Sequence, residues 1–187
     1  MNLPNLLTLA RILLIPFFVL VYIFPGPGTY VIAAALFGLA AFTDWLDGYL
    51  ARRLQQTTPF GAFLDPVADK LIVVSALVVL VGHHANLWLT MPALIIVGRE
   101  IVISALREWM AEMNRRGRVS VTWIGRVKTT FQMVAIVVLL ANPPGLERPL
   151  VVLGYVLLYA AALLTLWSML IYLKAAWPTL KSGWEQH

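Results

Sequence analysis

Asp44, Asp47, Asp65 and Asp69 fall within 26 consecutive residues, inside long apolar runs. An ionised carboxylate at membrane depth costs at least about 2.5–3.5 kcal/mol on insertion scales, and four together also repel one another. The group therefore requires positive charge. Oxygen-only donors suit hard cations, which favours Mg²⁺ or Mn²⁺ over Zn²⁺. Four carboxylates can hold two such ions about 4 Å apart, an arrangement that serves in-line displacement at phosphorus. Two other readings stay open on these residues alone. One is a set of buried ion pairs with Arg52, Arg53 or Lys70, although three cations do not match four carboxylates. The other is a proton relay or cation pathway.

The spacing places the four acids together. Gln55-Gln56-Thr57-Thr58-Pro59 reads as a short turn between two helical arms, with Thr58 as N-cap and Pro59 as the first helical residue. Measured from Gln56, Asp47 and Asp65 are equally distant along the chain, and Asp44 and Asp69 nearly so. At about 1.5 Å per residue they form two level pairs, about 14 and 19 Å from the turn. Asp44 and Asp47 are i,i+3 and Asp65 and Asp69 are i,i+4, so each pair shares a helix face. Gly48 and Ala51 continue the face of Asp44, where small side chains admit a second backbone or a flat ligand. Pro66 cannot donate its helix bond to Ala62, which predicts a kink.

The elements that must carry these residues are membrane helices. The chain has 187 residues, 60% hydrophobic and only 12% charged, against about 25% charged in soluble domains. Six apolar segments approach the roughly 20 residues a span needs: Leu6–Phe24, Tyr30–Leu50, Phe60–Val81, Leu87–Glu108, Trp123–Ala141 and Leu150–Leu173. Their sum is an all-α polytopic membrane protein, one domain over residues 1–187, with an interfacial tail at 174–187. The N-terminal apolar stretch lacks a basic n-region and a clear cleavage site, so it reads as a retained helix. With no cysteine, disulfides and cysteine-bound zinc are excluded.

Lys and Arg set the expected orientation. Arg52 and Arg53 follow span two; Arg115, Arg116 and Arg118 follow span four, with Arg126 at the start of span five; Lys174 and Lys181 follow span six. The alternate loops carry only Arg148. Both termini are therefore predicted to be cytoplasmic. The net charge of +5 then sits on the side where anionic headgroups and phosphorylated metabolites occur.

The segment Asp44-x2-Asp47-Gly48-x2-Ala51-Arg52-x8-Gly61-x3-Asp65-x3-Asp69 resembles the signature of the CDP-alcohol phosphatidyltransferases at every motif position. The similarity extends over most of the chain to bacterial members, through Asn2–Arg11, Phe60–Lys70, Arg99–Trp109 and Trp123–Thr130. The resemblance implies six helices, a homodimer, and a site open to the cytoplasm in the bacterial inner membrane. It implies CDP-diacylglycerol as donor, sn-glycerol 3-phosphate as acceptor, and phosphatidylglycerophosphate and CMP as products. It assigns metal ligation to Asp44, Asp47, Asp65 and Asp69, the general base to Asp69, and CDP contacts to Gly48, Ala51, Arg52 and Gly61.

A small phosphate dianion calls for fixed Arg or Lys groups beside the metals. Arg107 and Lys128 are the first candidates, followed by Arg99, Arg118 and Arg126. Arg99 and Arg107 lie about 80° apart on span four, so both can face a cavity. The alternative for Arg99 is pairing with a buried acid; Glu100 points about 100° away from it, so another helix would have to supply that acid. Asn5, Thr8 and Arg11 share a face at i,i+3,i+6 and are candidate nucleotide contacts, Asn5 and Thr8 foremost, with capping and anchoring of span one as the alternative. His83 and His84 belong to the predicted outer end, away from the acids. A sibling enzyme acting on inositol phosphate or a second phosphatidylglycerol is the runner-up. No feature points to nucleic acid.

Overall fold

The computed structural model describes residues 3–24, 26–54, 58–112 and 123–184. All regular elements among them are helices: α1 Leu3–Ile23, α2 Thr29–Leu54, α3 Pro59–His84, α4 Leu87–Glu112, α5 Trp123–Leu140 and α6 Pro149–Trp184. Each overlaps one of the six apolar segments. Three stretches, Asn5–Ile23, Leu87–Met110 and Pro149–Lys174, are long and apolar enough to cross a membrane. Thr29–Asp44 and Val127–Leu140 are shorter apolar stretches.

Helix boundaries follow local chemistry. Thr58 has extended backbone (φ −120°, ψ 150°), and its hydroxyl accepts the Gly61 N–H at 3.0 Å. Pro59 follows as the first helical residue, where its missing N–H is harmless. At the other end of α3, Ala85 is left-handed and its N–H returns to Val81 O at 3.0 Å. α3 remains one helix through Pro66. α6 does not stop at Leu173, where the apolar run ends, but continues as helix to Trp184. Helical hydrogen bonds are satisfied within the chain, so a helix can outlast its hydrophobic segment.

α1 packs against α2 and α3, α5 against α6, and α4 against α6. The core between them combines Phe18, Phe37, Leu77, Leu80, Ile96, Ile136 and Leu158 with small residues such as Ala33, Ala40, Ala76 and Ala135. Phe18 and Phe37 meet edge to face, centroids 6.1 Å apart. Gly154 allows α6 to approach α5 closely, since a Cβ there would lie 2.7 Å from the Leu139 side chain. The outward surface is apolar as well: Phe17, Leu20, Leu94, Ile101, Leu163 and Trp167 are all exposed. A belt of that kind suits lipid, not water.

The two ends of the bundle differ. At one end Tyr30 OH meets His83 Nε2 at 3.1 Å, and His84 Nδ1 meets Tyr155 OH at 3.0 Å. These contacts tie α3 to α2 and α6. The aspartates lie toward the opposite end of α3, nearer Thr58.

Candidate active site

The face of α1 carrying Asn5, Thr8 and Arg11 is buried against the α2–α3 hairpin. Arg11 is wholly buried. Its Nη1 donates to Asp44 Oδ1 at 2.8 Å and to Asp69 Oδ1 at 2.6 Å, and its Nη2 donates to Asp47 Oδ2. One turn earlier, the Thr8 hydroxyl lies 2.8 Å from Asp65 Oδ1 and 3.4 Å from Asp47 Oδ2. One turn earlier again, Asn5 Nδ2 donates to Thr58 Oγ1 at 2.9 Å. Asp44 and Asp69 thus share one nitrogen of Arg11, and Asp47 and Asp65 share Thr8. These are the two level pairs that the distances from the turn predict.

Gly61 lets α3 meet α1 closely. A Cβ at that position would lie 2.5 Å from Asn5 Oδ1 and 3.2 Å from Thr58 Oγ1. Gly48, Ala51 and Arg52 belong to the last turns of α2, but their side chains lie outside the described residues. The same holds for Arg53 and for Arg126 at the start of α5, while Arg118 lies wholly outside.

A cavity of about 180 Å³ opens beside the cluster. Asp44, Asp69, Lys70, Glu100, Lys128 and Gln132 line it, over a floor that includes Ala40 and Ile72. Asp44 and Asp69 are half exposed, whereas Asp47 is buried. Lys128 is almost fully buried and donates to Glu100 Oε1 at 3.2 Å. Carboxylates and a fixed ammonium group therefore face the same small space.

The other expected cations are placed differently. Arg99 Nη1 donates to the adjacent Glu100 at 2.8 Å, and Nη2 reaches Ser168 Oγ at 3.5 Å. Arg99 is thus paired with an acid, and the inference that another helix would have to supply it is corrected. Two long, flexible side chains swing toward each other across the helix surface, although their Cβ vectors diverge. Arg107 is exposed, donates from Nε to Tyr172 OH at 3.1 Å, and lies 5.4 Å from the Tyr172 ring centroid. Both arginines thus contact α6, and neither is among the residues that line the cavity. Ser104 bonds back to the Glu100 carbonyl at 2.5 Å, the usual habit of a mid-helix serine.

Sequence reasoning singles out Arg11 but misses its pairing with the aspartates. Its signal was present: an arginine in an otherwise apolar segment, on the same face as Asn5 and Thr8. The counter-charge was sought among Arg52, Arg53 and Lys70, which are nearest in sequence, whereas Arg11 is 33 residues from Asp44.

The all-oxygen donor set fits hard divalent cations. Asp44 and Asp69 present half-open carboxylates to the cavity, and the buried Arg11 Nε has no hydrogen-bond partner among the described residues. With the guanidinium between the carboxylates, no group of three or more His, Cys, Asp or Glu closes around one point among the described residues. The donors suit the ions, while the arrangement here is the one that Arg11 holds.

The chain belongs to the CDP-alcohol phosphatidyltransferase family, whose sequence model matches residues 1–167. It is a transferase of a family generally dependent on divalent metal. Among its relatives, the CDP-diacylglycerol–glycerol-3-phosphate 3-phosphatidyltransferase of Pseudomonas fluorescens is 61% identical over 184 residues, covering 97% of this chain and 93% of the relative. Proteins of the same name from Yersinia enterocolitica and Shigella flexneri are 53% and 55% identical, over 96% and 94% of this chain and 97% and 94% of their own lengths.

Proposed function

We propose that this protein transfers the phosphatidyl group of CDP-diacylglycerol to sn-glycerol 3-phosphate, giving phosphatidylglycerophosphate and CMP. The observation that carries this reading is the shared cavity of Asp44, Asp69 and Lys128, in a chain aligned nearly end to end with relatives of that name. A base, a set of hard-cation ligands and a phosphate-binding cation are what the reaction needs in one place.

Asp69 is the general base. Its carboxylate takes the proton of the acceptor's primary hydroxyl as that oxygen attacks the phosphorus bearing diacylglycerol. The new P–O bond forms as the bond from that phosphorus to the bridging oxygen breaks, and CMP leaves with the electron pair. Asp44, Asp47, Asp65 and Asp69 would hold two Mg²⁺ or Mn²⁺ ions, which offset pyrophosphate charge when bound. Gly48, Ala51, Arg52 and Gly61 contact the CDP moiety, with Asn5 and Thr8 beside them. Lys128 takes the acceptor phosphate, and Arg107, Arg99, Arg118 and Arg126 supply the basic approach to it. Holding a lipid-borne phosphorus against a soluble acceptor supplies much of the remaining rate.

The same reading sets the protein in the bacterial cytoplasmic membrane with six spans, both termini inside and the site open to the cytoplasm. The one-sided Lys and Arg distribution supports this topology. We also propose a homodimer. The test is a panel of acceptors offered to the purified protein with CDP-diacylglycerol and Mg²⁺ or Mn²⁺. Phosphatidylglycerophosphate should form with glycerol 3-phosphate, and little lipid product should form with inositol phosphate or phosphatidylglycerol. A preference for either of those would replace the acceptor assignment.

A further inference from the structure

Glu100 is not needed for the chemistry above, yet it lines the cavity with Asp44, Asp69 and Lys128. A carboxylate beside a phosphate subsite is electrostatically unfavourable unless it serves some purpose. Here two cations offset it: Arg99 at 2.8 Å and Lys128 at 3.2 Å, both on Oε1. Among the described residues no donor meets Oε2, so its lone pairs can serve another one.

The cavity is rich in groups that can only donate. Lys70, Lys128 and Arg11 accept no hydrogen bond. Asp44 and Asp69 each accept from Arg11 through Oδ1 and are already assigned to metal ligation, and Asp69 to proton abstraction. The remaining acceptors among the described lining residues are Glu100, Gln132 and Thr129. Of these, Glu100 carries charge and is paired with Lys128, the cation proposed to take the phosphate. A charged acceptor makes roughly twice as strong a hydrogen bond as a neutral one.

We propose that Glu100 determines acceptor specificity by accepting a hydrogen bond from the free secondary hydroxyl of a polyol phosphate. Lys128 and Glu100 form adjacent anchors, one for a phosphate and one for a hydroxyl on the neighbouring carbon. This inference rests on the acceptor reading above and names how that acceptor is distinguished from simpler alcohol phosphates.

The test compares glycerol 3-phosphate with 3-hydroxypropyl phosphate, which keeps the primary hydroxyl and the phosphate but lacks the secondary hydroxyl. The wild-type protein in detergent should prefer glycerol 3-phosphate by about 10- to 100-fold in kcat/KM. Glu100→Gln should reduce that preference to about threefold, and Glu100→Ala to near unity, with the CDP-diacylglycerol KM within about twofold of wild type. The ratio reports the active fraction alone, so partial loss of folded protein does not alter it. Equal use of both acceptors by the wild type, or full discrimination by Glu100→Ala, would overturn the proposal. Loss of turnover with both acceptors in both variants also counts against it, because a specificity residue spares the deoxy acceptor. Failure of the wild type to use glycerol 3-phosphate at all would instead remove the acceptor reading beneath it.

Discussion

Arg11 Nη1 donates to Asp69 Oδ1 at 2.6 Å, joining residues 58 positions apart. That contact places a permanent cation against the proposed general base. Arg11 also bridges to Asp44 and Asp47, so one side chain from α1 closes the α2–α3 hairpin. Removing it should leave three carboxylates without their cation. Arg11→Leu is expected to lose about 3 kcal/mol of stability in EDTA, toward the low end for a broken buried pair because Asp44 and Asp69 are half exposed. Mn²⁺ should restore more of the melting temperature in this variant than in wild type, since a competing cation is gone. Thermal unfolding in detergent, with and without Mn²⁺, measures both. A variant as stable as wild type in EDTA would contradict the clamp.

Asp69→Asn keeps the size of the side chain and an oxygen that can accept from Arg11. The melting temperature should therefore stay close to that of wild type. Turnover should fall by about 100- to 10,000-fold, the usual contribution of a positioned base. Near-normal phosphatidyl transfer by this variant would end the base assignment.

Lys128 and Arg107 should separate. Lys128 is almost fully buried and faces the cavity, whereas Arg107 is exposed on Tyr172. Lys128→Met is expected to raise the acceptor KM at least about tenfold and the donor KM less than about twofold, the loss expected for a charged hydrogen bond. Arg107→Ala should raise the acceptor KM more modestly, because its effect comes from the approach and not from the cavity. Steady-state kinetics with each substrate varied in turn decide this; the opposite ranking would move the phosphate site toward α6.

Gly61 makes a test of packing. Gly61→Ala sets a methyl group 2.5 Å from Asn5 Oδ1, and overpacking of this kind costs about 1–3 kcal/mol. Asn5→Ala removes the obstructing atom, so the double variant should be more stable than the two single losses sum to. Strictly additive melting losses would show that α1 and α3 do not meet there.

These residues also show how far the sequence is readable. The two aspartate pairs follow from helical rise and the position of the turn, and both are local quantities. Thr58 and Pro59 mark the start of α3 for the same reason. Arg11 does not follow, because the packing of α1 across the hairpin is a tertiary fact with no short-range pattern. Arg99 and Glu100 fail differently: helical geometry fixes where a Cβ points, but a long side chain can reach around it. The polar end of α6 continues as helix past the point where hydropathy marks the end of a span.

The most direct test reconstitutes the protein in liposomes containing CDP-diacylglycerol and follows labelled glycerol 3-phosphate, CMP and divalent-cation flux together. One CMP should be released for each labelled lipid formed, dependent on Mg²⁺ or Mn²⁺ and abolished by EDTA, without net ion transport. Cation flux through the liposome wall with no CMP release would contradict this prediction, and would make the aspartates a transport pathway instead of a phosphatidyl-transfer site.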